Sequence, residues 1–110
     1  MIHWYRKLYM DEDVAEHPKR CKRHVMQRKP WKKSYFVVTL ATNPDNLFEI
    51  METRQLFFRR YSYLDLYVVG LAVNYDSAVE LLQKILLEME KKDGTFLTDK
   101  FFPEKDFSDR

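Results

Sequence analysis

Two apolar runs of strand length organise the chain. Tyr35-Phe36-Val37-Val38-Thr39-Leu40-Ala41 is almost wholly apolar and rich in β-branched and aromatic residues, the composition of a strand buried on both faces. Leu66–Val73 has the same character, and Gly70 within it marks a close backbone approach to a packed neighbour. This second run leads into a helical pattern. Ala78, Leu82, Ile85 and Met89 recur at helical spacing, with Val79 and Leu86 widening the stripe. Asp76 stands at the N-cap, Lys91 and Lys92 at the negative end of the helix dipole, and Gly94 at the C′ position. A strand over Tyr67–Val73 and a helix over Ser77–Lys92 are therefore the clearest expectations.

The remaining elements rest on fewer signals. Lys7–Met10 reads as a short strand ended by the acidic turn Asp11-Glu12-Asp13. Pro18 opens a helix that runs to about Lys29 and stops before Pro30, with Cys21 and Val25 as a thin apolar stripe. Asn43 and Pro44 read as the cap and first position of another helix, whose apolar face is Leu47, Ile50 and Met51. Thr53–Tyr63 either continues that helix or forms a second short one capped by Thr53. A helix between two strands buried on both faces suits a right-handed parallel crossover. The expected fold is a small single-domain α/β protein. Its sheet is mainly parallel and three-stranded, in β-α-β-α-β-α order, and covered by helices. The alternative is an α+β domain with a mixed sheet. Residues 1–110 form the domain, with 95–110 as a tail that either packs back or binds a partner.

Composition narrows the class. At 110 residues, 45% hydrophobic and 33% charged, the chain is globular rather than disordered. No apolar run approaches the roughly 20 residues of a membrane span, and the N-terminal residues lack a signal-peptide core. One cysteine, Cys21, fits a reducing compartment, so the cytoplasm is expected and a membrane partner is not. Eight Phe, seven Tyr and two Trp are more aromatics than so small a core can hide. Phe96, Phe101, Phe102 and Phe107 are accordingly candidates for a protein–protein interface, with a second copy or another protein.

Charge is segregated. Residues 17–44 carry eight Lys or Arg and no acid, whereas residues 76–110 carry nine acids and six bases. Lys19, Arg20, Lys22, Arg23, Arg28, Lys29, Lys32 and Lys33, with Trp31 as a stacking ring, are the candidate nucleic-acid contacts. The bland reading of the same run is a solvated helix face.

The strings Tyr35–Leu47, Val68–Ala72 and Tyr75–Leu82 resemble a pattern in short uncharacterised bacterial proteins, over residues 35–86. The resemblance implies a cytoplasmic folding unit and carries no catalytic residues.

Other chemistry is poorly supported. His17, Cys21 and His24 share one helix side, but the neighbouring cations repel a metal ion and no fourth ligand is near. Cys21 as a nucleophile lacks an orienting group. With only Gly70 and Gly94, the chain has no phosphate-cradling loop. No cofactor is expected. The leading expectation is a non-enzymatic interaction or structural domain that self-associates, and the second is a nucleic-acid-binding module using residues 19–33.

Overall fold

The computed structural model describes residues 2–27, 34–41, 46–54, 65–92 and 94–108. The elements are β1 (Ile2–Met10), α1 (Glu12–Glu16), α2 (Pro18–Gln27), β2 (Phe36–Leu40), β3 (Phe48–Glu52), β4 (Leu66–Ala72), α3 (Tyr75–Lys92), α4 (Thr98–Phe101), a 3₁₀ turn (Glu104–Asp106) and β5 (Phe107–Ser108). The strands form one five-stranded sheet in the order β3-β2-β4-β1-β5.

The parallel expectation is overturned. Only β1 and β4 run parallel; β2 is antiparallel to both β3 and β4, and β5 is antiparallel to β1. The fold is a mixed-sheet α+β domain. The error lies in Leu47, Ile50 and Met51, whose spacing fits a helix face. In the structure Phe48 and Ile50 point to one layer and Met51 to the other, and the segment pairs with β2 from Phe36↔Glu52 to Leu40↔Phe48. Thr53 follows β3 directly and faces β2. Its hydroxyl accepts a hydrogen bond from the Tyr35 backbone N–H at 2.9 Å, extending the β2–β3 pairing. Asn43, Pro44 and residues 55–64 lie outside the described residues.

Two smaller expectations also shift. The first strand begins at Ile2 rather than Lys7, and the supposed turn at Asp11 is the N-cap of α1, its Oδ1 accepting from Val14 N–H at 2.8 Å. The α3 cap is Asn74 rather than Asp76, since Asn74 Oδ1 accepts from Ser77 N–H at 2.8 Å. At the other end Gly94, with φ of 70°, donates to the Met89 carbonyl, as the sequence suggested.

Helices cover both sheet faces. On one side Val14, Cys21 and Val25 pack on Ile2, Trp4, Val37, Leu66, Val68 and Leu71. On the other, Ala78, Leu81, Ile85 and Met89 of α3 pack on Val38, Val69 and Ala72. β4 is central and buried along nearly its whole length. It carries a bulge: Val38 opposes Gly70 and Thr39 opposes Val68, leaving Val69 unmatched on β2. Among the described residues no helix is long and apolar enough to cross a membrane.

The C-terminal phenylalanines close the α3 side. Phe102 is 2% exposed, with edge-on contacts to Tyr5, Phe48 and Phe101. Phe96, Phe101 and Phe107 pack around the same core and are half-buried. Phe107 also meets Tyr5 and Tyr67.

Candidate anion-binding face

Helix α2 is oriented by Cys21 and Val25, one turn apart and both buried. That choice of inner face leaves Lys19, Arg20, Arg23 and Met26 exposed, with Lys22 and His24 at the flanks. Lys19 and Arg20 sit in the first turn, which contains no acid. Cations at the positive end of a helix dipole oppose helix formation. Among the described residues no ion pair or hydrogen bond neutralises Lys19, Arg20 or Arg23, and Glu16, two positions before Pro18, pairs with none of them.

The inner flank is held by a small polar cluster. His24 Nδ1 and the Tyr35 hydroxyl lie 3.0 Å apart. Burial, with a hydrogen bond to Cys21, pushes the Tyr35 phenol up to about 12. Cys21 and His24 are thus joined through Tyr35, while exposed His17 ends α1. Among the described residues no group of three or more His, Cys, Asp or Glu could hold a metal ion.

At the other flank of α2 lies a cleft of about 330 Å³ on the β5 side of the sheet, lined by Trp4, Tyr5, Arg6, Lys22, Lys105, Asp106, Phe107 and Ser108. The Lys22 ammonium rides 5.2 Å above the centre of the Trp4 ring. Burial lowers its pKa below the ordinary lysine value. Arg6 reaches Asp106 at 3.7 Å, the only carboxylate among the described lining residues. Trp4 itself is 1% exposed, and its Nε1 is buried with no hydrogen-bond partner.

Of the sequence candidates, Lys19, Arg20, Lys22 and Arg23 come together on α2. Arg28, Lys29, Trp31, Lys32 and Lys33 lie outside the described residues. Phe96, Phe101 and Phe102 occupy the opposite, α3 side, and Phe107, packed on the same side, also lines the cleft from the sheet edge. Sequence reasoning missed Trp4, Arg6 and Lys105. The alternation of Ile2, Trp4 and Arg6 with their neighbours was the available signal for β1, but nothing local joins Lys105 to it.

Other concavities compete. β1 and β4 are adjacent and parallel, and their chains leave to opposite faces, the arrangement at which α/β sheets commonly bind ligands. The crevice there holds Asp11, Glu12, Asp13, Ser77, Glu80 and Lys84. Both Asp11 oxygens are already engaged, one by Val14 N–H and one by Val73 N–H at 2.9 Å. Beside it, burial and a hydrogen bond to Glu88 raise the Tyr9 pKa, and Glu88 Oε2 is buried without a partner. An apolar hollow of about 570 Å³ lies among Leu47, Gln83, Leu86, Leu87, Glu90 and Phe96. Among the described residues, the cleft beside α2 joins aromatic lining to three cations, Arg6, Lys22 and Lys105.

Compared with protein-family models, curated proteins and solved structures, the chain shows no significant match.

Proposed function

We propose that this chain is a non-catalytic binding domain whose partner is an anionic polymer, single-stranded nucleic acid, held by the exposed face of α2. The observation that carries the reading is the placement of Lys19 and Arg20. Both are exposed in the first turn of α2, where the dipole disfavours them and no described carboxylate offsets them. Charge that works against the helix is explained if its counter-charge arrives with a partner. Arg23 and Lys22 extend the same face toward the cleft, where Tyr5 and Phe107 add aromatic lining of the kind single-stranded nucleic acids stack on. The single buried thiol, Cys21, is compatible with work in a reducing cytoplasm. Retention on heparin and on a labelled oligonucleotide at low salt tests the reading; passage through both columns at 50 mM salt, roughly the bottom of the range in which such contacts are strong, sinks it.

A second reading draws on the apolar hollow. Leu87 is 57% exposed and Leu47 45%, beside half-buried Phe96, which favours self-association through the outer side of α3. Light scattering decides it: a mass above 13.5 kDa that returns to the monomer in Leu87→Lys supports the contact, and a wild-type monomer removes it.

A further inference from the structure

We infer that the cavity where α4 and the 3₁₀ turn meet the sheet is a receptor for an alkylated ammonium group, with Tyr67, Phe102 and Phe107 as aromatic walls and Asp99 and Glu104 as counter-charge. Its volume is about 290 Å³, and Leu40 and Thr98 complete the described lining. The inference stands apart from the polyanion reading, since it uses none of the α2 residues.

The aromatic walls are set in place by the fold. Phe102 is buried and meets Tyr5, Phe48 and Phe101 edge-on. Phe107 is placed by its pairing with Tyr5 of β1, and Tyr67 by its pairing with His3. The Tyr67 and Phe107 rings stand 5.1 Å apart at 88°, so together they form two walls of a corner. The charge of the described lining has one sign: two carboxylates and no cation. The Asp99 and Glu104 side chains, both exposed, make no ion pair or hydrogen bond with a described residue, and the next residues in sequence, Lys100 and Lys105, pair with neither. Helix dipoles do not account for these acids. Asp99 and Glu104 lie in elements of four and three residues, and a single turn has little macrodipole to offset.

Aromatic rings and carboxylates both favour a cation. The kind of cation follows from the lining. A bare ammonium brings three N–H donors, while the described walls are mostly ring and Leu40 surface with the acids at the exposed rim. An alkylated ammonium carries its charge under an apolar shell, so it covers the rings and leaves no donor unmet. The same side of the domain already uses this contact internally: Lys92 lies 5.3 Å from the centre of the Phe101 ring, and Lys84 5.9 Å from that of Tyr9. The volume lies near the roughly 300 Å³ lower end of ligand sites, which suits a head group rather than a whole cofactor.

The test uses the full chain and choline as the probe, with its uncharged carbon isostere, in which a tert-butyl group replaces the trimethylammonium, and sodium chloride as controls. The readout is the ring signals of Phe102 and Phe107 in carbon-resolved NMR. Choline is expected to move them saturably, with half-saturation at about 1–10 mM, and the isostere to bind about tenfold more weakly. Asp99→Asn combined with Glu104→Gln should weaken choline about tenfold without moving the urea midpoint. Ring signals that stay put at about 50 mM choline overturn the inference. So does equal binding of the isostere, which marks an apolar cavity, or an equal shift with sodium chloride at matched ionic strength, which marks screening. Both comparisons use the wild-type protein, so they decide the matter even if the double variant fails to fold. A short peptide carrying trimethylated lysine separates the two sources of the group. Peptide binding about tenfold tighter than choline assigns it to a modified protein side chain, and the reverse order to a free amine, and either result upholds the site.

Discussion

Neutralising the exposed cations of α2 separates binding from folding. The perturbation is the triple variant Lys19→Gln, Arg20→Gln, Arg23→Gln. All three side chains are exposed and none is ion-paired to a described residue, so little packing is lost and each change should stay within about 0.5 kcal/mol. The dipole argument adds a sign. Removing Lys19 and Arg20 from the first turn should stabilise the helix by about 0.3 kcal/mol or more per charge at low salt. Binding should move the opposite way. For single strands each phosphate contact contributes about −0.7 to the slope of log affinity against log salt. Four contacts, from Lys19, Arg20, Lys22 and Arg23, give a slope of about −2.8, so affinity falls about fifty-fold between 50 and 200 mM salt. With Lys22 alone the slope is about −0.7 and the same change costs two- to three-fold, roughly. Fluorescence anisotropy with a labelled oligonucleotide over that salt range, together with thermal melts of both proteins, measures the pair of effects. A variant that keeps the wild-type slope refutes the assignment of these residues. One that loses binding only because its melting temperature collapses refutes the claim that their role is not structural.

Three further outcomes follow from the packing. Gly70→Ala places a Cβ 3.2 Å from Val38 Cβ and 3.5 Å from Leu81 Cδ1. Both neighbours are buried and Val38 is β-branched, so the variant should lose about 1–3 kcal/mol in urea unfolding, and an unchanged midpoint would show that the bulge gives way. Phe102→Ala should cost about 3–5 kcal/mol, because the ring is sealed between α3 and the sheet; a loss below about 1 kcal/mol would mean the tail is not core. Alkaline stability should fall early. The Tyr35 phenol is raised from 10.0 to about 12 by burial and its Cys21 hydrogen bond, so its stabilisation is complete below pH 10 and disappears as pH rises through about 12, at most roughly 2–3 kcal/mol. Burial raises Tyr5 and Tyr9 in the same direction. Tyr35→Phe should flatten part of the drop between about pH 10 and 12 in thermal melts, and an identical pH profile would contradict the assignment.

The β4–α3 unit was legible because its determinants are local. A central strand needs an apolar run whatever its neighbours, and α3 needs a stripe and a closing glycine. Even there the cap moved from Asp76 to Asn74, since either side chain can accept from a nearby N–H. The basic character of α2 was legible for a related reason: charge is a property of composition, and one thin stripe, Cys21 and Val25, leaves the cations nowhere to go but outward.

Tertiary structure decided the rest. Leu47, Ile50 and Met51 fit a helix face by spacing, while Phe48 and Ile50 fit a strand by alternation. A five-residue segment is too short for either period to prevail, and hydrogen bonding to β2 makes it a strand and turns the sheet mixed. β5 has two residues and exists only as a partner for Trp4 and Tyr5. The cleft is the same kind of fact. Trp4, Lys22 and Lys105 come from the first strand, the second helix and the C-terminal segment. Local physics sets which residues are charged, apolar or able to cap a helix. Only chain closure, which brings distant segments into register, determines which of them share a cavity and which buried donor is left without an acceptor.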